Sequence, residues 1–392
     1  MQIRLAEPVK KIIAVLEAHG HEAYAVGGCV RDAILGRTPN DWDVTTSALP
    51  QEVKKLFRKT VDTGIQHGTV TVIMQGIGYE VTTYRIDGLY KDSRHPDSVT
   101  FTDRLSEDLL RRDFTINAMA YNDARGLQDC FGGQDDLKNR IVRAVGVPKE
   151  RFTEDALRIL RCVRFAAQLD FAIDDETYRA AKALSGNLKE ISKERIREEF
   201  LKTLTSLHPE YVLKLCDIGA MDVIEPDFPE RKDEAAELIL KTQEDEVFRL
   251  SAFLYGAKDP DAVLRDLRFD NKTRKAVVTM IRFSKENVEP SPVCMRKLLC
   301  AYGKEDIGRL LDFYGLVHDR DMGREKEEAG RIIDAKECVS LSELAVTGAD
   351  LMAQGIPAGK RMGEVLNGLL ELVLEDPELN KKEKLFLQIS QL

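Results

Sequence analysis

Long apolar runs are missing from this chain of 392 residues, and none approaches the roughly 18–20 residues that a membrane span needs, which excludes membrane insertion. The seven cysteines, at 29, 130, 162, 216, 294, 300 and 338, form no CxxC pair. Neither a disulfide framework nor a cysteine zinc site is therefore indicated, and reduced, mostly buried thiols are expected. Histidine is scarce: six in all, with no HxxxH and a single His318-Asp319, so no phosphohydrolase-type metal site is expected. The first twenty residues lack the apolar stretch and small-residue cleavage site of a secretory signal and read instead as a charged amphipathic helix, so a cytoplasmic location is expected. Basic charge is short as well. With 58 Lys+Arg against 67 Asp+Glu the net charge is −9, which argues against a protein that coats nucleic acid indiscriminately.

The composition, 43% hydrophobic and 32% charged, is that of a globular protein, and the length suggests two to four domains. Residues 1–145 mix strand-like runs (AYAVGG, GTVTVIM, YEVTTYRI, IVRAVG) with short helical patterns and read as α+β. From Val147-Pro148 onward helical periodicity dominates, with breaks that divide it near 205 and 300. One segment departs from the acidic average. Lys138, Arg140, Arg143, Lys149, Arg151, Arg158, Arg161 and Arg164 stand against Glu150, Glu154 and Asp155, and such a local excess suits an anionic ligand.

Tyr24-Ala25-Val26-Gly27-Gly28 is a short apolar strand entering a glycine pair, followed by a helical stretch from Cys29 to Leu35 that Gly36 ends. Such a turn presents backbone N–H groups at a helix N-terminus, where an anion is favoured, and Arg31 adds a fork of donors. The plain alternative is a tight strand-to-helix turn. Next comes Asp41-Trp42-Asp43-Val44, where strand alternation sets Asp41 and Asp43 on one face about 7 Å apart. Two adjacent carboxylates repel unless a cation lies between them, and Mg²⁺ takes one or two carboxylates plus phosphate oxygens. Glu80, inside the strand-like GYEVTTYRI, is either a third carboxylate of that group or an ordinary outward-facing strand residue. In Arg111-Arg112-Asp113-Phe114-Thr115-Ile116-Asn117, Arg112 with Asp113 and Asn117 could hold a phosphate and a ribose. Phe152 to Phe171 reads as one largely buried helix carrying Asp155, Arg158 and Arg161 at i, i+3 and i+6. That stripe either faces a cleft or forms an intrahelical salt bridge.

In this order and spacing, GGCVRD, DWDV, EVTTYR, RRDFTINA and EDALRILRCVRF resemble the class II tRNA nucleotidyltransferases, the bacterial CCA-adding enzymes, whose catalytic domain is shared with bacterial poly(A) polymerases. The resemblance is close over residues 20–200 and looser beyond, where TGADLMAQGIPAGKRMGEVLNGLLELVLEDP is similar to the family's tail. It implies an α+β polymerase-beta-like nucleotidyltransferase head (1–145) followed by an all-helical neck with the nucleotide-selecting helix (146–205), body (206–300) and tRNA-binding tail (301–392). It further implies Mg²⁺ as cofactor, CTP and ATP as substrates and the acceptor end of tRNA as partner, with monomer and homodimer both open. Residue by residue, Asp41 and Asp43 would hold the metal, with Glu80 a further catalytic carboxylate. Gly27, Gly28 and Arg31 would contact the incoming nucleotide, and Arg112 its triphosphate or sugar. Asp155 and Arg158 match the base-selecting pair, with Arg161 and Arg164 as further contacts, although on an ideal helix Arg164 lies about 180° round from Asp155.

Such a pair explains selection without a nucleic-acid template. Cytosine and adenine both offer a ring acceptor to Arg158 and an exocyclic amine to Asp155, whereas uracil and guanine turn a carbonyl towards the carboxylate. Other readings share the head: A-only or CC-only addition, and poly(A) synthesis. The acidic balance weighs against a poly(A) polymerase, and the segment Tyr84 to Val99, similar to the family's flexible loop, weighs against CC-only addition. A non-catalytic RNA-binding protein is disfavoured because Asp41 and Asp43 are both present. A small-molecule nucleotidyltransferase is disfavoured because it needs no such helix and no long helical continuation.

Overall fold

The computed structural model of the protein describes residues 3–88 and 99–389. Segments rich in apolar and β-branched residues pair as strands. β1 (Ala23–Val26), β2 (Asp43–Thr46), β3 (Thr60–Gly64), β4 (Thr69–Met74) and β5 (Ile77–Thr83) join two later strands in one sheet. A second, two-stranded sheet pairs β6 (Arg85–Asp87) with β7 (Val99–Phe101), and the two later strands of the main sheet are β8 (Met119–Asn122) and β9 (Gly126–Asp129). The order in the seven-stranded sheet is β3-β4-β5-β2-β1-β8-β9. All neighbours in it are antiparallel except β2 and β5, which run parallel with Asp43 opposite Glu80 and Thr45 opposite Thr82. The expected loop from Tyr84 to Val99 is bracketed by β6 and β7, and its centre, 89–98, lies outside the described residues.

Helices cover this sheet and continue it. α1 (Glu7–Ala18) buries Val9, Ile12, Ile13 and Leu16, the i, i+3, i+4, i+7 stripe of an amphipathic helix. α2 (Gly28–Ile34), α3 (Pro50–Leu56), α4 (Leu105–Leu110) and α5 (Gly133–Asn139) are short. Tyr24, Val26, Tyr84, Leu109 and Ala120 form a buried cluster between the sheet and α4, with Leu105 and Phe131 against it. Beyond the sheet come α6 (Pro148–Glu154), α7 (Leu157–Leu169), α8 (Asp175–Leu184) and α9 (Lys193–Leu204). Of IVRAVG only Ile141–Val142 is a strand, β10, paired parallel with β11 (Ala172–Ile173).

Two sequence expectations change here. The strand begins at Asp43, not Asp41, so alternation does not place both carboxylates: Asp41 and Trp42 precede the first ladder residue. The helix expected over Phe152 to Phe171 is two helices, because α6 ends at Glu154 and Asp155 has extended backbone (φ −139°, ψ 102°). The Asp155 side chain accepts the Leu157 N–H at 3.0 Å and restarts the helix, as aspartate does when it competes with the backbone for hydrogen bonds. No glycine or proline marks the break.

The chain divides into two units, one of residues 1–240, 244–249 and 256–270, the other of 241–243, 250–255 and 271–392. Within the second unit the longer helices are Asn271–Phe283, Pro292–Tyr302, Ile307–His318, Gly323–Asp334 and Lys360–Glu375. There the buried Arg296 donates to the carbonyls of Leu374 (2.6 Å) and Glu375 (3.1 Å), satisfying acceptors that a helix end leaves open. Among the described residues no helix is long and apolar enough to cross a membrane.

Candidate active site

The exposed end of β2 carries the acids. Asp43 opens the strand on its exposed side, and the parallel register sets Glu80 of β5 opposite it. The surroundings hold the Asp43 carboxyl above its ordinary range: partial burial first, then the negative field of Glu80, with Asp41 adding to it and Arg112 opposing. Among the described residues the side chains of Asp41, Asp43 and Glu80 form no ion pair, and no three His, Cys, Asp or Glu side chains assemble as a ready-made metal site. Two carboxylates with a neighbouring acid still suit a hard divalent cation that keeps waters and takes its other ligands from phosphates.

Gly27 terminates β1 and caps α2 at φ 85°, ψ −137°, a conformation that side chains other than hydrogen rarely adopt. A β-carbon there would stand 3.1 Å from Nη1 of Arg112. Gly28 is less constrained, since its nearest neighbours would be at ordinary contact distance. Arg31 donates from Nη1 to Oδ1 of Asn117 at 2.7 Å and from Nε and Nη2 to Asp32 at 2.9 and 3.0 Å. Asn117 and Asp113, expected as possible partners of a phosphate and ribose, instead hold protein arginines. Asp113 binds Arg161 at 2.9 and 2.6 Å. Burial raises the Asp113 carboxyl, but Arg161 and the hydrogen bond from Asn117 overcome it and bring it down to about 2.

The helix break separates the pair expected to read bases. Asp155 Oδ2 accepts from Arg195 of α9 at 2.9 Å, while Arg158 Nη1 donates to Glu154 Oε2 at 2.7 Å and Nη2 to the Arg111 carbonyl at 3.0 Å. The intrahelical Asp155–Arg158 salt bridge, one of the two readings left open by the sequence, is not formed. Both side chains are oriented from outside the pair. Arg161 and Arg164 flank Phe165, with guanidinium carbons 5.3 and 4.0 Å from the ring centroid, and Arg31 reaches the same ring at 5.1 Å. Arg164 pairs with Glu199 at 2.5 Å. Asp155 lies before the helix that carries Arg164, and Arg164 shares the Phe165 ring with Arg161.

Comparison with known proteins decides the family. Residues 23–143 match the Poly A polymerase head domain, 170–231 the RNA and SrmB-binding site of polymerase A, and 240–389 the tRNA nucleotidyltransferase domain 2. The CCA-adding enzyme of Ligilactobacillus salivarius is 38% identical over 97% of this chain and 95% of its own, and that of Lactobacillus helveticus 39% identical over 93% and 91%. The chain belongs to the CCA-adding enzymes, the class II tRNA nucleotidyltransferases. Its fold is similar to that of the Bacillus stearothermophilus CCA-adding enzyme solved in complex with CTP, with a TM-score of 0.84, 31% identity, and coverage of 99% of this chain and 98% of that one. A Thermotoga maritima CCA-adding enzyme complexed with tRNA shares the fold at a TM-score of 0.65 and 22% identity.

In this CCA-adding enzyme the structure gathers the expected residues in two groups. Gly27 at the end of β1 has Arg112 beside it, Asp43 at the start of β2 faces Glu80 in the middle of β5, and Arg31, Arg161 and Arg164 surround Phe165. The basic excess between Lys138 and Arg164 does not make a bare cationic face. Arg140 pairs with Asp170, Arg143 with Asp136 and Asp174, Arg151 with Glu154, and the arginines of α7 with the acids above. Sequence reasoning missed Asp108, Glu154, Arg195, Glu199 and Phe165. The signal available for Asp108 was an acid set among leucines before Arg111-Arg112, and for Arg195 and Glu199 their i, i+4 spacing on a helix rich in both charges.

Proposed function

We propose that the exposed end of β2 holds the reacting phosphates and that Asp155 and Arg158 choose the base, within the activity of this family, template-independent addition of CCA to the 3′ end of tRNA. The sites are read on CTP and ATP as substrates and the tRNA acceptor end as the receiving group, with release of pyrophosphate. The division into head, neck, body and tail, and a cytoplasmic setting, go with that reading. Asp41 and Asp43 are assigned to hold a divalent cation, Mg²⁺, with Glu80 supporting them through its charge. Such a cation, when bound, activates the attacking 3′-hydroxyl and neutralises the leaving phosphates. Gly27 and Gly28 let the backbone come close to the nucleotide, while Arg31 and Arg112 supply cationic donors to its phosphates or sugar. What supports this most is the approach of Arg112 to within 3.1 Å of the side-chain position of Gly27, while its field opposes the acids around Asp43.

Base choice follows from donors and acceptors already oriented. The Asp155 carboxylate spends one lone pair of each oxygen on Leu157 N–H and Arg195 and keeps the others for an exocyclic amine. Arg158, 8% exposed, is held by Glu154 and by the carbonyls of Arg151 and Arg111, and it retains N–H groups for the ring acceptor shared by cytosine and adenine. A carboxylate accepts only, so a uracil or guanine carbonyl facing Asp155 loses a hydrogen bond and meets like charge. Arg161 and Arg164, stacked on Phe165, are assigned to further nucleotide contacts. The experiment is addition to a tRNA ending before CCA, with each labelled nucleotide alone and in pairs, read as product length. Extension by two residues with CTP and by a third only when ATP is added supports the reading. Addition of A alone, or a long A tract, contradicts it.

A further inference from the structure

We propose that Asp108 is a positioning residue for nucleotide binding. It sets the arginine assigned to the phosphates and, through the loop that follows it, the arginine assigned to the base. The proposal rests on the assignment of Arg112 and Arg158 made above. Asp108, in the last turn of α4, is fully buried, and burial raises its carboxyl, yet Arg111 and Arg112 overcome that and hold it below the ordinary range. Oδ1 accepts from Arg111 Nε at 2.9 Å and Nη2 at 2.7 Å. Oδ2 accepts from the Thr45 hydroxyl at 3.0 Å and from Arg112 Nη2 at 3.5 Å. Four donors match the roughly four lone-pair sites of a carboxylate.

Each donor ties a different part of the site to that carboxylate. Thr45 lies on β2 two residues beyond Asp43, so it points to the same side of the sheet ladder. Arg112 has its Nη1 beside Gly27, its Nε is buried without a hydrogen-bond partner, and among the described residues Asp108 is the carboxylate in ion-pair range of it. The side chain of Arg111 is clamped by Asp108 while its carbonyl accepts from Arg158, and the carbonyl of Leu110 accepts from Arg151 at 3.0 Å. One buried charge therefore fixes the start of the acid strand, the phosphate-side arginine and the carbonyl that orients the base-side arginine. An amide in its place presents donors to two guanidinium groups and frees the loop.

The test compares Asp108→Asn and Thr45→Val with Arg112→Ala and with Glu325→Gln, a buried carboxylate paired with Arg320 in the second unit. KM and kcat for CTP and ATP, binding of inorganic triphosphate by calorimetry, relative use of UTP, and melting temperature are measured for each. Asp108→Asn is expected to raise KM and to weaken triphosphate binding about tenfold, with UTP use up severalfold, and Thr45→Val to act in the same direction about threefold. Glu325→Gln lowers only the melting temperature. If Asp108→Asn and Thr45→Val also lower only the melting temperature, the proposal is overturned. Should Asp108→Asn fail to fold, Thr45→Val decides, and unchanged triphosphate binding in it overturns the positioning role. Loss of triphosphate binding in Arg112→Ala without loss in the other two rejects only Asp108. Retention in Arg112→Ala rejects the underlying assignment as well.

Discussion

The sheet end and helix α7 of this enzyme treat charge in opposite ways. At β2 and β5 like charges are left together: Asp43 faces Glu80 across a parallel ladder, Asp41 lies close by, and burial first, with their negative field added, raises the Asp43 carboxyl. On α7 each arginine has an acid of its own, Arg158 with Glu154, Arg161 with Asp113 and Arg164 with Glu199. An uncompensated acid group is a place prepared for something cationic to arrive. The paired arginines of α7 are already held in place, which on the proposed reading leaves them little order to lose when a base arrives. The first region is built to gather charge, the second to present shape.

The largest effect expected from this contrast is at the sheet. Asp43→Ala should lower turnover by about 10³-fold or more while tRNA binding, measured by filter retention, persists, because activation of the hydroxyl and neutralisation of the phosphates fail together. Near-normal turnover would remove the metal assignment. Arg158→Ala should come next, with CTP and ATP kcat/KM falling together by about ten- to a hundredfold, since both bases lose one ring-acceptor partner. A loss confined to one nucleotide would break the shared-acceptor logic. Gly27→Ala should cost about 1–3 kcal/mol of stability in a denaturant titration from its backbone conformation alone, and it should raise KM because the new methyl displaces Arg112.

A smaller effect distinguishes the paired region by pH. The folded Asp113 carboxyl is brought down to about 2, below its unfolded value near 4, so its contribution is fully present above pH 4 and is lost as pH falls towards 2. Asp113→Asn should therefore remove about 2 kcal/mol at neutral pH and flatten stability across that window, measured by urea unfolding at several pH values. An unchanged acid limb would mean that Arg161 does not depend on Asp113.

The two regions also differ in how far they could be read in advance. Short apolar and β-branched runs and the Gly27-Gly28 pair led directly to β1, β5 and α2, because residue type marks a strand whatever its partners are. Asp43 and Glu80 come together through strand register, which no local pattern encodes, and Asp41 lies before the strand. Between α6 and α7, the restart at Asp155 depends on a side chain taking over a backbone hydrogen bond, and no helix-breaking residue announces it. Arg195, Glu199 and Asp108 are distant in sequence from the arginines or acids they hold, so their roles depend on tertiary contacts.

The central claim is that Asp155, held by Arg195 and apart from Arg158, reads the exocyclic group of the base. Its most direct test is the relative kcat/KM of CTP, ATP, UTP and GTP in Asp155→Asn, with melting temperature measured alongside. An amide keeps the shape and can turn a donor towards O4 of uracil or O6 of guanine, so relative use of UTP or GTP should rise about ten- to a hundredfold while CTP and ATP slow. Unchanged nucleotide ratios with only a lower melting temperature would contradict the account and leave Asp155 as a partner for Arg195 alone.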